Sequence, residues 1–128
     1  MILLDTCALL WLAIDPGQLS GSAQEAVRKH SDRLFVSAIS AFEIGQKHAR
    51  GKLKLKLPPK RWFGRALELH GLHELSLDST ILLAATALPD RHRDPFDRIL
   101  IATAQARKMT LLTPDPLMRS YAGTKVLW

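Results

Sequence analysis

Apolar residues along this chain come in two textures. Short dense runs, MILL (1–4), RLFVS (33–37), HELSL (73–77), MTLLT (109–113) and KVLW (125–128), have the length and apolar density of buried strands. Between them lie longer segments in which apolar residues recur at helical spacing. These predict helices over 6–14, 22–30, 38–50, 60–70, 79–88, 95–108 and 116–121. Pro16, Gly17, Gly51, Pro58, Pro59 and Gly71 all fall between elements, where chain breakers belong.

Strands alternating with helices imply crossover units. The expected fold is therefore α/β, with a mostly parallel central sheet flanked by helices. In such a sheet the ligand site lies beyond the carboxyl ends of the strands, near the point where the strand order reverses. That rule filters the acidic residues. Asp5 follows directly on the first run and Asp115 follows closely on MTLLT. Asp97 opens the helix that leads into MTLLT, and Glu43 lies on the helix after RLFVS.

Each of these residues also has a local reading. Asp5 and Asp115 could cap the helices they precede, and SAFE (40–43) spells a capping box ending on Glu43. In RHRDPFDR, Asp94 reads as an N-cap before Pro95, and Asp97 as a first-turn acid complementing the helix dipole. The four carboxylates taken together require more. At an effective dielectric of about 20, two charges 4 Å apart interact by about 4 kcal/mol, so a cluster must take up protons or a cation. Oxygen donors favour Mg²⁺, with Mn²⁺ as a substitute. Zinc would call for His or Cys, and the best placed imidazole, His92, lies in the loop before the helix.

Composition adjusts this picture in a few places. The chain has 128 residues, 47% of them hydrophobic, enough for one domain (1–128) with a core of its own. A net charge of +6 leans towards an anionic partner. The one cysteine, Cys7, allows no internal disulfide and no Cys-rich zinc site, and is expected to be a small buried apolar residue. MILLDTCALLWLA lacks a basic leader, carries Asp5, and is shorter than the roughly 20 residues of a membrane span. The expectation is a cytoplasmic protein without membrane contact. GxxxxGK[ST], GxGxxG and GxSxG motifs are all missing, which sets aside the phosphate loops and the hydrolase elbow.

The segments LLDTCALLWLA, VSAISAFEIGQKHARGKLKL, LPDRHRDPFDRILIATAQA, LLTPDPLMRSY and the terminal VLW together resemble the PIN-domain ribonucleases of the VapC toxin type. The resemblance runs in order along nearly the whole chain. It departs visibly around Asp78 to Thr80, where many relatives carry a His-Ala pair. It implies a three-layer PIN-like fold and places the family's acidic set on Asp5, Glu43, Asp97 and Asp115, as metal ligands and catalytic residues. Asp94 and Thr6 are implied as accessory positions, and Arg98, beside the same acidic motif, is a further accessory candidate. The resemblance further implies an RNA substrate, a VapB-like antitoxin as partner, and a homodimer. Mg²⁺ would polarise the scissile phosphate and activate a water for in-line attack.

Around this set, Lys52, Lys54 and Lys56 alternate with leucines, and read either as a phosphate-tracking surface or as a solvated loop or lysine-protected edge strand. Arg91, Arg93 and Arg98 flank the acidic motif and suit RNA, although Arg98 could instead pair with a carboxylate. Trp11 and Trp62 read as packing residues before base-stacking ones. Two other functions stay open: a structure-specific DNA nuclease with the same chemistry, and a catalytically inactive nucleic-acid-binding module. The intact acidic set argues against the second, because a pure binder of polyanions gains nothing from clustered negative charge.

Overall fold

A computed structural model describes residues 1–128. Each dense apolar run forms a strand: β1 (Ile2–Leu4), β2 (Leu34–Ser37), β3 (His73–Leu75), β4 (Thr110–Leu112) and β5 (Lys125–Leu127). The helices are α1 (Thr6–Ile14), α2 (Gly21–Lys29), α3 (Ala38–Ala49), α4 (Pro59–His70), α5 (Ser79–Ala87) and α6 (Pro95–Arg107). The segment expected to be a helix over 116–121 is a 3-10 turn, Pro116–Ser120, and a second such turn spans Pro16–Gln18. At three and five residues these stretches have the length in which the tighter 3-10 pattern is usually found.

All strand pairings are parallel, in the order β3-β2-β1-β4-β5. The chain builds outward from β1 through β2 to β3, then crosses back to lay β4 on the other side of β1. The strand order therefore reverses between β1 and β4, where Leu4 pairs with Leu112. The Asp5 N–H continues that ladder by donating to the Leu112 carbonyl at 3.0 Å. A site-forming crevice opens at this reversal.

The two-residue period of a strand sorts the core into two layers. Ile2 and Leu4 pack with Leu34, Val36, Leu9, Ile44, Trp62 and Phe63 on the face covered by α1 to α4. Leu3 points the other way, into Leu100, Ile101, Leu111 and Met118 beneath α6. α5 lies against α6 through Ile81, Ala85 and Ala102. The fully exposed strand positions lie on the edges: His73 and Glu74 on β3 and Lys125 on β5. Trp62 belongs to the core, while Trp11 leans on Trp128 with ring centroids 5.6 Å apart. No helix is long and apolar enough to cross a membrane.

Candidate active site

The four acidic positions arrive at one place. Asp5, Glu43, Asp97 and Asp115 line a single cavity of about 290 Å³ beyond the ends of β1 and β4, together with Asp94, Thr6, Cys7, Lys47 and Pro114. Helix capping and site formation turn out to be compatible, since a carboxylate has two oxygens. Asp5 Oδ1 accepts the Ala8 N–H at 2.7 Å, which caps α1 and aligns the side chain. Asp115 Oδ1 accepts the Leu117 N–H at 2.9 Å and leaves Oδ2 directed at His92 and Asp97. Asp94 caps α6 through the Phe96 N–H at 2.9 Å, ahead of Pro95 in the first turn.

Glu43 is different, because the capping box is not built. The N-cap of α3 is Ser37, whose hydroxyl accepts the Ile39 N–H at 3.1 Å. Ser40 instead sits inside the helix, fully buried, and receives a hydrogen bond from the Thr6 hydroxyl at 3.0 Å. That bond ties α1 to α3 and uses the Thr6 hydroxyl proton, leaving its oxygen as an acceptor at the cavity. Glu43, freed from capping, is buried, with Oε2 3.0 Å from the Lys47 ammonium one turn on. Its Oε1 is buried without any partner. An unpartnered carboxylate oxygen is costly unless something absent from the bare chain completes it.

The electrostatics carry the mark of this crowding. Burial, reinforced by the charges of Glu43 and Asp115, pushes the Asp5 carboxyl up to about 6, although Thr113 and the Ala8 N–H pull the other way. Burial, then the charge of Asp94, raises Asp97 to about 7, with His92 opposing and Asp5 and Glu43 adding to the rise. A cation in the cavity would reverse both effects by favouring the charged forms. Cys7 is half-buried rather than fully buried and lines the cavity. Burial and the neighbouring Asp5 push its thiol up to about 11, so it stays protonated and is a poor metal ligand or nucleophile.

Two residues of the site lie outside what the sequence pattern singles out. Lys47 is legible in retrospect as a cation four residues after Glu43 on one helix face. In the sequence His92 bears only on setting zinc aside, as the best placed imidazole but one that lies in the loop before α6. In the fold its Nε2 stands 2.9 Å from Asp97 Oδ2 and 2.9 Å from Asp115 Oδ2, at the junction between α6 and the loop after β4. Nothing in the spacing of a loop histidine announces such a bridge.

The basic residues divide. Arg98 pairs with no carboxylate: its guanidinium donates to the carbonyls of Ala85, Leu88, Pro89 and His92 at 2.8 to 3.1 Å. It is thereby occupied with holding the end of α5 and the following loop onto α6. Arg91 donates to the Ser120 carbonyl, and Arg93 is exposed. Lys52, Lys54 and Lys56 project into solvent from the loop between α3 and α4, while Leu53, Leu55 and Leu57 pack inward. The loop joins no sheet, which removes the edge-strand alternative.

A parallel sheet in this order defines an α/β domain that gathers carboxylates at its reversal point, where a cation would offset their mutual repulsion. The PIN domain family profile matches residues 2–123. Ribonuclease VapC22 of Mycobacterium tuberculosis is 31% identical over 121 residues, spanning 94% of this chain and 91% of that protein. The chain belongs to the PIN-domain family. Among solved structures, VapBC2 from Rickettsia felis bound to a promoter DNA fragment is similar with a TM-score of 0.73 at 15% identity, covering 98% of this chain and 97% of that one. FitAcB from Neisseria gonorrhoeae gives a TM-score of 0.67 at 22% identity, covering 98% and 96%. At such identities the structural likeness is one of fold.

Proposed function

We propose that this chain, read as one PIN domain over residues 1–128, is a metal-dependent endoribonuclease of the VapC type, the toxic half of a toxin-antitoxin pair. One observation carries the reading. Asp5, Glu43, Asp97 and Asp115 converge on one cavity, and a buried oxygen of Glu43 there has no partner. A surface meant only to bind polyanions would not concentrate negative charge. The 31% identity to a named ribonuclease supports RNA as the substrate class.

The donors available are carboxylate oxygens, which suits Mg²⁺ or Mn²⁺. Asp5 and Asp97 would be the principal holders, with Glu43 and Asp115 completing the site. A divalent cation bound there supplies Lewis acidity toward a phosphodiester oxygen and makes a nearby water more acidic. The chain's own work is arrangement. The Ala8 N–H and the Leu117 N–H fix one oxygen each of Asp5 and Asp115, and Lys47 neutralises half of Glu43. Exposed Arg93, next to Asp94 at the rim, is positioned to meet a substrate phosphate.

The partners follow from the same reading. Ala13, Ile14, Leu55, Leu57 and Trp62 line a groove of about 480 Å³ edged by Lys54 and Lys56, which suits an apolar antitoxin segment. Leu69, Leu82 and Leu83 are exposed, apolar surface consistent with a homodimer. A toxin acting on cellular RNA would work in the cytoplasm. Cleavage of matched single-stranded RNA and DNA by the purified protein, with and without Mg²⁺, tests the assignment. RNA cleavage alone supports it, DNA cleavage points to the DNA-nuclease alternative, and binding without cleavage of either points to an inactive module.

A further inference from the structure

We propose that His92 is a positioning residue of the site, a proton-bearing strap that holds Asp97 and Asp115 together without itself ligating the cation. The proposal rests on the metal-dependent reading above and deepens it. Three groups in one small volume, His92 Nε2 and an oxygen each from Asp97 and Asp115, all lie within 4.8 Å of one another. Two carboxylates and an imidazole in that arrangement invite a mixed nitrogen and oxygen metal site. The other face of the ring excludes it.

His92 Nδ1 faces the Asp94 N–H at 3.3 Å. An amide N–H only donates, so Nδ1 must present its lone pair and the ring proton must sit on Nε2. Nε2 in turn faces two carboxylate oxygens, both acceptors, which require that same proton. A histidine that ligates through Nε2 carries its proton at Nδ1 and donates it to an acceptor beyond. Here Nδ1 meets a donor. The ring is set for giving a hydrogen bond, and cannot ligate without losing its contact to Asp94.

The rest of the residue is pinned to match. The His92 N–H donates to the Tyr121 hydroxyl at 2.7 Å, and its carbonyl accepts from Arg98 at 3.1 Å. The side chain is only 12% exposed. Asp97 comes from α6, and Asp115 from the loop after β4. Their like charges would otherwise drive them apart in the bare protein. A shared Nε2–H offsets that repulsion and sets their spacing, and each bonded oxygen keeps a second lone pair for a cation.

The test uses the whole chain and Mn²⁺ as probe. Pulsed electron paramagnetic resonance of the Mn²⁺-loaded wild type should lack the strong ¹⁴N modulation of a directly bound imidazole; its presence, and its loss in His92→Ala, would overturn the proposal. Calorimetric titration should give His92→Ala an affinity for Mn²⁺ lower by about 10- to 100-fold, the usual effect of losing a partner that orients a ligand. His92→Gln, which restores an N–H donor at a similar reach, should recover most of it. Unchanged binding in His92→Ala would mean that the ring does not set the spacing of the two carboxylates, and tighter binding that it competes with the cation; either would also overturn the proposal. Failure of the metal reading itself is distinguishable, because the wild type would then bind no Mn²⁺ at all. Near-ultraviolet circular dichroism checks the fold of both variants, and the wild-type resonance measurement depends on neither.

Discussion

Glu43 and Lys47, one turn apart on α3, form an ion pair of 3.0 Å that satisfies one carboxylate oxygen and leaves the other buried and alone. The lysine is half-exposed while the glutamate is buried, so the pair feeds charge from the surface into an acidic interior.

Lys47→Met removes that cation and keeps the apolar stem. The metal-free variant should lose about 1–2 kcal/mol, less than for a fully buried pair because the lysine is partly solvated. Mg²⁺ should restore most of the loss and bind more tightly than in wild type. Thermal melts with and without Mg²⁺ check this; equal destabilisation in both conditions would assign Lys47 to packing alone.

Acidic crowding also sets a pH dependence. Asp5 and Asp97 are raised to about 6 and about 7, above the value of 3.8 expected for an ordinary aspartate. Between pH 4 and 7 the metal-free folded state therefore binds more protons than the unfolded chain. The stability that these two protonated carboxyls contribute should be fully present below pH 3.8 and be lost as the pH rises through about 6 and 7, on the order of 3 kcal/mol of it from Asp5 alone. Asp97→Asn should flatten the upper part of this fall. Saturating Mg²⁺ should oppose it, since the ligands bind it deprotonated. Denaturant titrations across this range measure the slope; a rise in metal-free stability from pH 4 to 7 would contradict the origin given for these shifts.

Arg98 makes a structural prediction. Its guanidinium serves four backbone carbonyls around the end of α5 and the loop before α6. Arg98→Ala should cost about 2–4 kcal/mol, and Arg98→Lys should recover little of it, because a point charge on a flexible stem cannot reproduce the planar fork. Chemical denaturation of the two variants decides this.

Much of this architecture is legible in the sequence because the strands are short and apolar on both faces. Leu3 and Leu4 need different neighbours, and an uninterrupted run states that requirement plainly. The carboxylates can be located through the crossover topology, since Asp5 and Asp115 end adjacent parallel strands. What local patterns do not supply are the long-range interactions. Ser40 has the spacing of a cap, but its hydroxyl receives Thr6 across 34 positions of chain, and the true cap is Ser37. Arg98 has the chemistry of a phosphate or carboxylate partner until the loop folds over it. His92 gains its place only where α6 and the loop after β4 meet.

The basic loop offers a separate test. Lys52, Lys54 and Lys56 are exposed and take part in no ion pair shorter than 4 Å, so they are free to neutralise phosphates. Replacing all three with Ala should make RNA affinity fall less steeply with salt, the slope dropping by about 0.7 for each phosphate of a single strand that is no longer neutralised. An unchanged slope would make them a solvated face only.

The central claim, that the gathered carboxylates form a cation-dependent ribonuclease site, is tested most directly by one assay. Cleavage of a single-stranded RNA by purified wild type and Asp97→Asn is compared after chelation and after adding back Mg²⁺. Chelation should abolish wild-type cleavage and Mg²⁺ should restore it, with Asp97→Asn folded yet at least about 100-fold slower. Wild-type cleavage that survives chelation, or full activity in Asp97→Asn, would contradict the claim.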